Sequence, residues 1–147
     1  ALTLANIKMK KFLFISLLFL VSCVPSMQTG PDPHSIKFDE IKFRTVISYF
    51  ESNTEVKGFD VENAPKEIPE SILEEMKDIG FLEFRNIGDF KVFFCGYGVV
   101  GKGWGFIHGE FPQEEIAQPE LIKGNNNQLN LTYLEHLEGK WFKFGAG

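Results

Sequence analysis

The sequence predicts an α+β domain, an antiparallel sheet of about four to five strands with two helices packed on one face. Three observations carry that expectation. Two segments in the first half of the chain space their apolar residues at helical intervals. The later chain strings short, aromatic-rich apolar runs between glycine-containing turns. The third is composition: of 147 residues 44% are hydrophobic and 16 are Phe, enough apolar surface to offset the entropy of ordering one core.

Taken in order, the chain opens with a targeting signal. Lys8-Met9-Lys10-Lys11 is a basic start, and Phe12 to Val21 is an apolar run broken only by Ser16. That run is too short to span a bilayer, which needs about 20 apolar residues, and suits the hydrophobic region of a secretory signal. Residues 1–8 precede a natural-looking start at Met9 and read as upstream translation. Leu20-Val21-Ser22-Cys23 resembles the lipobox of bacterial lipoproteins, in which an aliphatic and a small residue precede an obligatory cysteine. The resemblance covers residues 9–23 and implies cleavage before Cys23, a diacylglycerol on its thiol and stable anchoring through two or three acyl chains. Residue 24 is Val rather than the Asp that retains enterobacterial lipoproteins at the inner membrane. The resemblance therefore implies the periplasmic side of the outer membrane. Residues 1–22 are the expected signal peptide, 23–35 the lipidated cysteine and its tether, and 36–147 a single globular domain.

The tether, Pro25 to Ser35, has three prolines and a glycine and no periodicity, so it is expected to be semi-extended. After it, Phe43, Val46, Ile47 and Phe50 fall at i, i+3, i+4 and i+7 between Phe38 and Ser52, with charges elsewhere and Asp39 placed to cap a helix. The strand formers Thr45, Val46, Ile47 and Tyr49 support a strand as the competing reading. A polar stretch with Gly58 and Pro65 precedes a second helix over Pro69–Ile79. There a proline and acids open the first turn, Ile72, Met76 and Ile79 share a face, and Gly80 is the stop. Strand-like runs follow at Phe81–Asn86 and Phe90–Cys95 about a turn at Ile87-Gly88-Asp89. Others cover Trp104–Glu110, Gln128–Leu137 and Lys140–Phe144, with a turn at Glu138-Gly139 and a loop at Gly124–Asn127.

Charge narrows the partners. Loss of the signal removes Lys8, Lys10 and Lys11, leaving 12 of 15 basic residues against 20 acids, a net charge of −8. Such a domain repels phosphate backbones and anionic head groups, so nucleic acid is not an expected partner and the membrane link falls to the lipid. A protein partner is compatible with the charge. With Cys23 lipidated, Cys95 is a lone thiol and the domain folds without a disulfide.

Gly96-Tyr97-Gly98-Val99-Val100-Gly101-Lys102-Gly103 satisfies the spacing of a dinucleotide site. That motif needs a helix whose free amides face phosphate, and the glycine-rich continuation lacks a helical stripe. The segment reads instead as a hairpin connection. Tyr97, Lys102 and Trp104 are its candidate binding residues, against the simpler reading that the two aromatics cover the edge of the core. His34, His108 and His136 share no metal-ligand spacing, so no metal or other cofactor is expected. Catalysis through Cys95 would need a base such as His108 or His136 beside it. No catalytic residue is assigned, and the expected role is a non-enzymatic, lipid-anchored envelope protein that binds another macromolecule through its sheet or the Gly96–Gly105 loop. The rivals are an immunity-type lipoprotein directed at an envelope toxin, a small-ligand carrier or hydrolase, and a structural envelope component.

Overall fold

The computed structural model describes residues 35–98, 102–112, 121–123 and 128–147. Among these residues two helices and seven strands follow in the order α1 (Glu40–Ser52), β1 (Gly58–Asp60), α2 (Glu70–Ile79), β2 (Glu83–Ile87), β3 (Phe90–Tyr97), β4 (Gly103–His108), β5 (Leu121–Lys123), β6 (Gln128–His136) and β7 (Trp141–Ala146). A 3-10 turn, Val61–Asn63, follows β1. The domain is α+β, as the sequence predicts, but with more strands than four to five. The additional strands are the three-residue edges β1 and β5, both too short to show an alternation. The loop read at Gly124–Asn127, and the signal, Cys23 and the tether before Ser35, lie outside the described residues.

Helix α1 prevails over the competing strand because a strand would send Val46 and Ile47 to opposite faces, whereas the helix buries both with Phe43 and Phe50. The Asp39 carboxylate caps it, accepting from the amides of Ile41 at 3.0 Å and Lys42 at 3.3 Å. Helix α2 buries Ile72, Met76 and Ile79 and stops at Gly80, whose φ of 96° is left-handed. The Gly80 amide bonds to the carbonyls of Met76 and Lys77, and the Phe81 amide reaches back to the carbonyl of Met76. Lys42 joins the helices through Asp78 at 2.9 Å.

The sheet order is β1-β2-β3-β4-β7-β6-β5, antiparallel throughout. Strand alternation splits the core between its faces. On the helix side, Phe84, Phe93, Cys95, Trp104, Phe106 and Trp141 pack with α1 and α2. Phe43 is the hub there, meeting Phe81, Phe106 and Trp141 edge-on at centroid separations of 5.3, 4.8 and 4.9 Å. On the other side, Ile87, Val92, Phe94, Ile107, Phe142 and Phe144 form a second apolar cluster with Leu129 and Leu131 of β6. Phe111, beyond β4, folds back over this side against Phe90 and Phe142 at 4.6 and 4.8 Å.

Candidate functional site

The register brings four connections to one end of the sheet. His108 ends β4 opposite Lys91 of β3 and Trp141 of β7, and the β2–β3 turn at Gly88-Asp89 opens at the same level. The last turn of α1 presents Glu51 beside the buried Phe50, and the β6–β7 turn presents Lys140 just after Gly139. Both turns need a glycine, since Gly88 has φ 59° and Gly139 φ 56°. Together these segments enclose a cleft of about 600 Å³, lined by Glu51, Asp89, Phe90, His108, Glu110, Phe111 and Lys140 among others. Gly109 shapes its wall: a Cβ there would lie 2.3 Å from the Phe90 ring, so only glycine lets that ring settle on the end of β4.

The polar groups of the cleft are unevenly paired. His108 is nearly enclosed, with 14% of its side chain exposed, its ring 4.9 Å from that of Trp141 and its Nδ1 3.6 Å from a Glu51 oxygen. Burial holds its pKa below the ordinary histidine value; the Glu51 carboxylate opposes the shift, and Lys140 and Lys91 add to it. Lys91 is buried, and its ammonium donates to the Asn86 side-chain oxygen at 3.0 Å. The Asn86 amide group donates in turn to the carbonyls of Thr54 and Val56 at 3.0 and 3.2 Å. At the mouth, Lys140 pairs with Glu110 at 2.6 Å. That hydrogen bond, with the Coulomb attraction behind it, raises the pKa of Lys140 and lowers that of Glu110. Asp89 has no hydrogen-bond or ion-pair partner among the described residues.

His136 stands at this end too, but on the other side of the sheet. It is opposite Phe142, whereas His108 is opposite Trp141, and consecutive residues of β7 point to opposite faces. The His136 ring lies 4.9 Å from that of Phe142, with Nε2 2.9 Å from the Gly139 carbonyl oxygen. A second cleft of about 470 Å³ opens beside it and shares Gly109, Glu110, Phe111 and Lys140 with the first. The two histidines therefore do not converge. Cys95 joins neither: it is fully buried at the bulge between Phe94 and Gly96, and burial pushes its thiol well above the ordinary cysteine range. A thiol so held stays protonated and out of reach of substrate.

No known family model, curated protein or solved structure matches this chain.

Tyr97, Lys102 and Trp104 lie at the far end of the sheet. Trp104 is 8% exposed within the helix-side core, and its indole N–H has no partner among the described residues. Tyr97 is half-buried on the other face, stacked on Phe94 at 5.4 Å with its hydroxyl donating to Glu83. The two aromatics thus serve separate clusters and do not share a surface, while Lys102 between them is exposed. Residues 99–101 of that loop lie outside the described residues.

Sequence reasoning singled out His108 but missed Glu51, Asp89, Glu110 and Lys140. Their only signal was position: each follows or ends an element that an antiparallel register sends to the same end. No group of three or more His, Cys, Asp or Glu side chains is disposed to hold a metal ion among the described residues.

Proposed function

We propose that this chain is a lipoprotein of a bacterial envelope, held by acyl chains on Cys23 at the periplasmic face of the outer membrane, whose domain binds another macromolecule rather than catalysing a reaction. The observation that carries the reading is the order of basic start, short apolar run and Leu20-Val21-Ser22-Cys23 ahead of a proline-rich segment. No described helix is long and apolar enough to cross a membrane. The arrangement of the domain supports a binding role: the thiol best suited to nucleophilic chemistry is sealed in the core, while charged side chains gather around an open cleft.

A cross-linking pull-down from native envelopes, with a Cys23→Ser control and mass spectrometry of the N-terminal peptide, tests the proposal. Acyl chains on Cys23 and a stoichiometric partner that is weakened in the control are the expected outcome. An unmodified Cys23 in a soluble fraction would refute the anchoring. Acylated protein without a partner would refute the binding role and favour the small-ligand reading, for which the cleft of about 600 Å³ is of ordinary ligand-site size.

A further inference from the structure

We infer that the cleft between α1, the β2–β3 turn and the end of β4 receives a lysine or arginine side chain from the partner polypeptide, between the carboxylates of Glu51 and Asp89 and the Phe90–Phe111 wall. The inference rests on the binding role proposed above and gives the partner a chemistry.

The charges of the cleft favour a cation. Lys140 is neutralised by Glu110 at 2.6 Å. Lys91 is turned into the protein and held by Asn86. His108 is kept from protonation by its burial, so at neutral pH it does not cancel Glu51. What remains is the Glu51 carboxylate, with the His108 imidazole at 3.6 Å and Lys140 attracting it from further off, and the Asp89 carboxylate, which has no hydrogen-bond or ion-pair partner among the described residues. The carboxylates of Glu51, Asp89 and Glu110 set against the ammonium groups of Lys140 and Lys91 leave the cleft one net negative charge, so a cation is favoured over an anion and would meet two acceptors in Glu51 and Asp89.

The apolar wall suits the same guest. Phe90 and Phe111 lie 4.6 Å apart, and a guanidinium or ammonium on its aliphatic stem can use aromatic faces as well as carboxylates. The domain already holds one guanidinium in this way: Arg85 is paired with Glu83 while its Cζ sits 4.5 Å from the centre of the Phe94 ring. The net charge of −8 left after signal removal favours approach of a basic surface over an acidic one. A volume of about 600 Å³ leaves room for the flanking backbone of such a side chain.

The test uses the lipidated protein in detergent micelles, with the ring resonances of His108, identified through His108→Gln, as the reporter. The probes are an acetylated and amidated Gly-Arg-Gly tripeptide, its citrulline isostere and methylguanidinium. The arginine tripeptide is expected to shift His108 saturably, the neutral isostere not at all, and methylguanidinium only at about tenfold higher concentration. Glu51→Gln combined with Asp89→Asn is expected to weaken the tripeptide by about tenfold or more, while Glu74→Gln on the exposed face of α2 leaves it unchanged. Thermal melts of each variant confirm that the fold persists. Affinity should also fall on acidification, because protonated His108, faced by Glu51 from α1, Lys91 from β3, Trp141 from β7 and Lys140 from the β6–β7 turn, would claim Glu51 for itself.

Absence of a saturable shift, or equal binding of the citrulline tripeptide, overturns the site. Methylguanidinium binding as tightly as the tripeptide overturns the polypeptide origin of the cation. A partner still captured by the double variant overturns this cleft while sparing the binding role. Tripeptide binding by a protein that captures no partner does the reverse.

Discussion

At one end of the sheet, glycines let main chain and rings close on one another; at the other, glycines turn the chain so that charged side chains collect around open space. At the Tyr97–Gly103 end, a Cβ on Gly105 would lie 1.9 Å from the Phe93 carbonyl oxygen, and one on Gly103 would lie 2.9 Å from the Phe94 ring. The aromatics of that end are consumed by packing, Trp104 on the helix side and Tyr97 on the other. At the His108 end, Gly88 and Gly139 make tight turns, and Asp89 and Lys140 follow them into a cleft. The contrast separates two uses of one residue type. Close approach dominates the first end; at the second, where Gly109 also admits the Phe90 ring, turn geometry leaves charged side chains around open space.

The largest effect that could break this contrast is Gly105→Ala. The added carbon must push β3 and β4 apart, so urea denaturation should show a loss of about 3 kcal/mol or more. A variant as stable as the parent would mean that the closed end is loosely packed. Next comes the pH response of the open end. His108 titrates near 6.5 in the unfolded chain and lower in the fold, so the folded state binds fewer protons in that interval. Its contribution to stability is complete above about 6.5 and is lost as pH falls through the depressed folded value. Denaturation curves across that window should slope downward with acid, and His108→Gln should flatten the slope.

A smaller effect is expected at Trp104. Trp104→Phe removes an indole N–H that has no partner among the described residues and gives up part of a ring, two changes of opposite sign. The net change should stay within about 1 kcal/mol, whereas a much larger loss would show that the N–H is satisfied in the folded protein. Smallest of all is Lys140→Gln. Both members of the Lys140–Glu110 pair are well exposed, so the melting temperature should not move measurably, even though the pair lies at the mouth of the cleft. A substantial drop would make that pair a structural clamp and blur the contrast between the ends.

The helices were legible because their periodic stripes are local. Phe43, Val46, Ile47 and Phe50 announce α1, and Asp39 caps it as its position suggests. The strand runs around Gly88 and Gly139 were equally readable, since turn chemistry is written in one or two residues. The edge strands β1 and β5 were not, because three residues cannot display an alternation, and β1 in addition pairs with a strand some way along the chain. Of the cleft, His108 could be named as a candidate, but its companions could not. Glu51 and Asp89 are 38 positions apart and ordinary in local context.

By itself the sequence determined an α+β class, two capped helices, the hairpin turns and the expectation of a lipid on Cys23, all of which rest on neighbours along the chain. Only the tertiary structure decided which of those residues meet. Strand register set His108 and His136 on opposite faces, buried Cys95 and Trp104 within the helix-side core, and gathered Glu51, Asp89, Glu110 and Lys140 at one end. The physical reason is that side-chain direction in a sheet alternates with every residue. Whether two distant groups converge therefore depends on pairings between strands, which no local pattern contains.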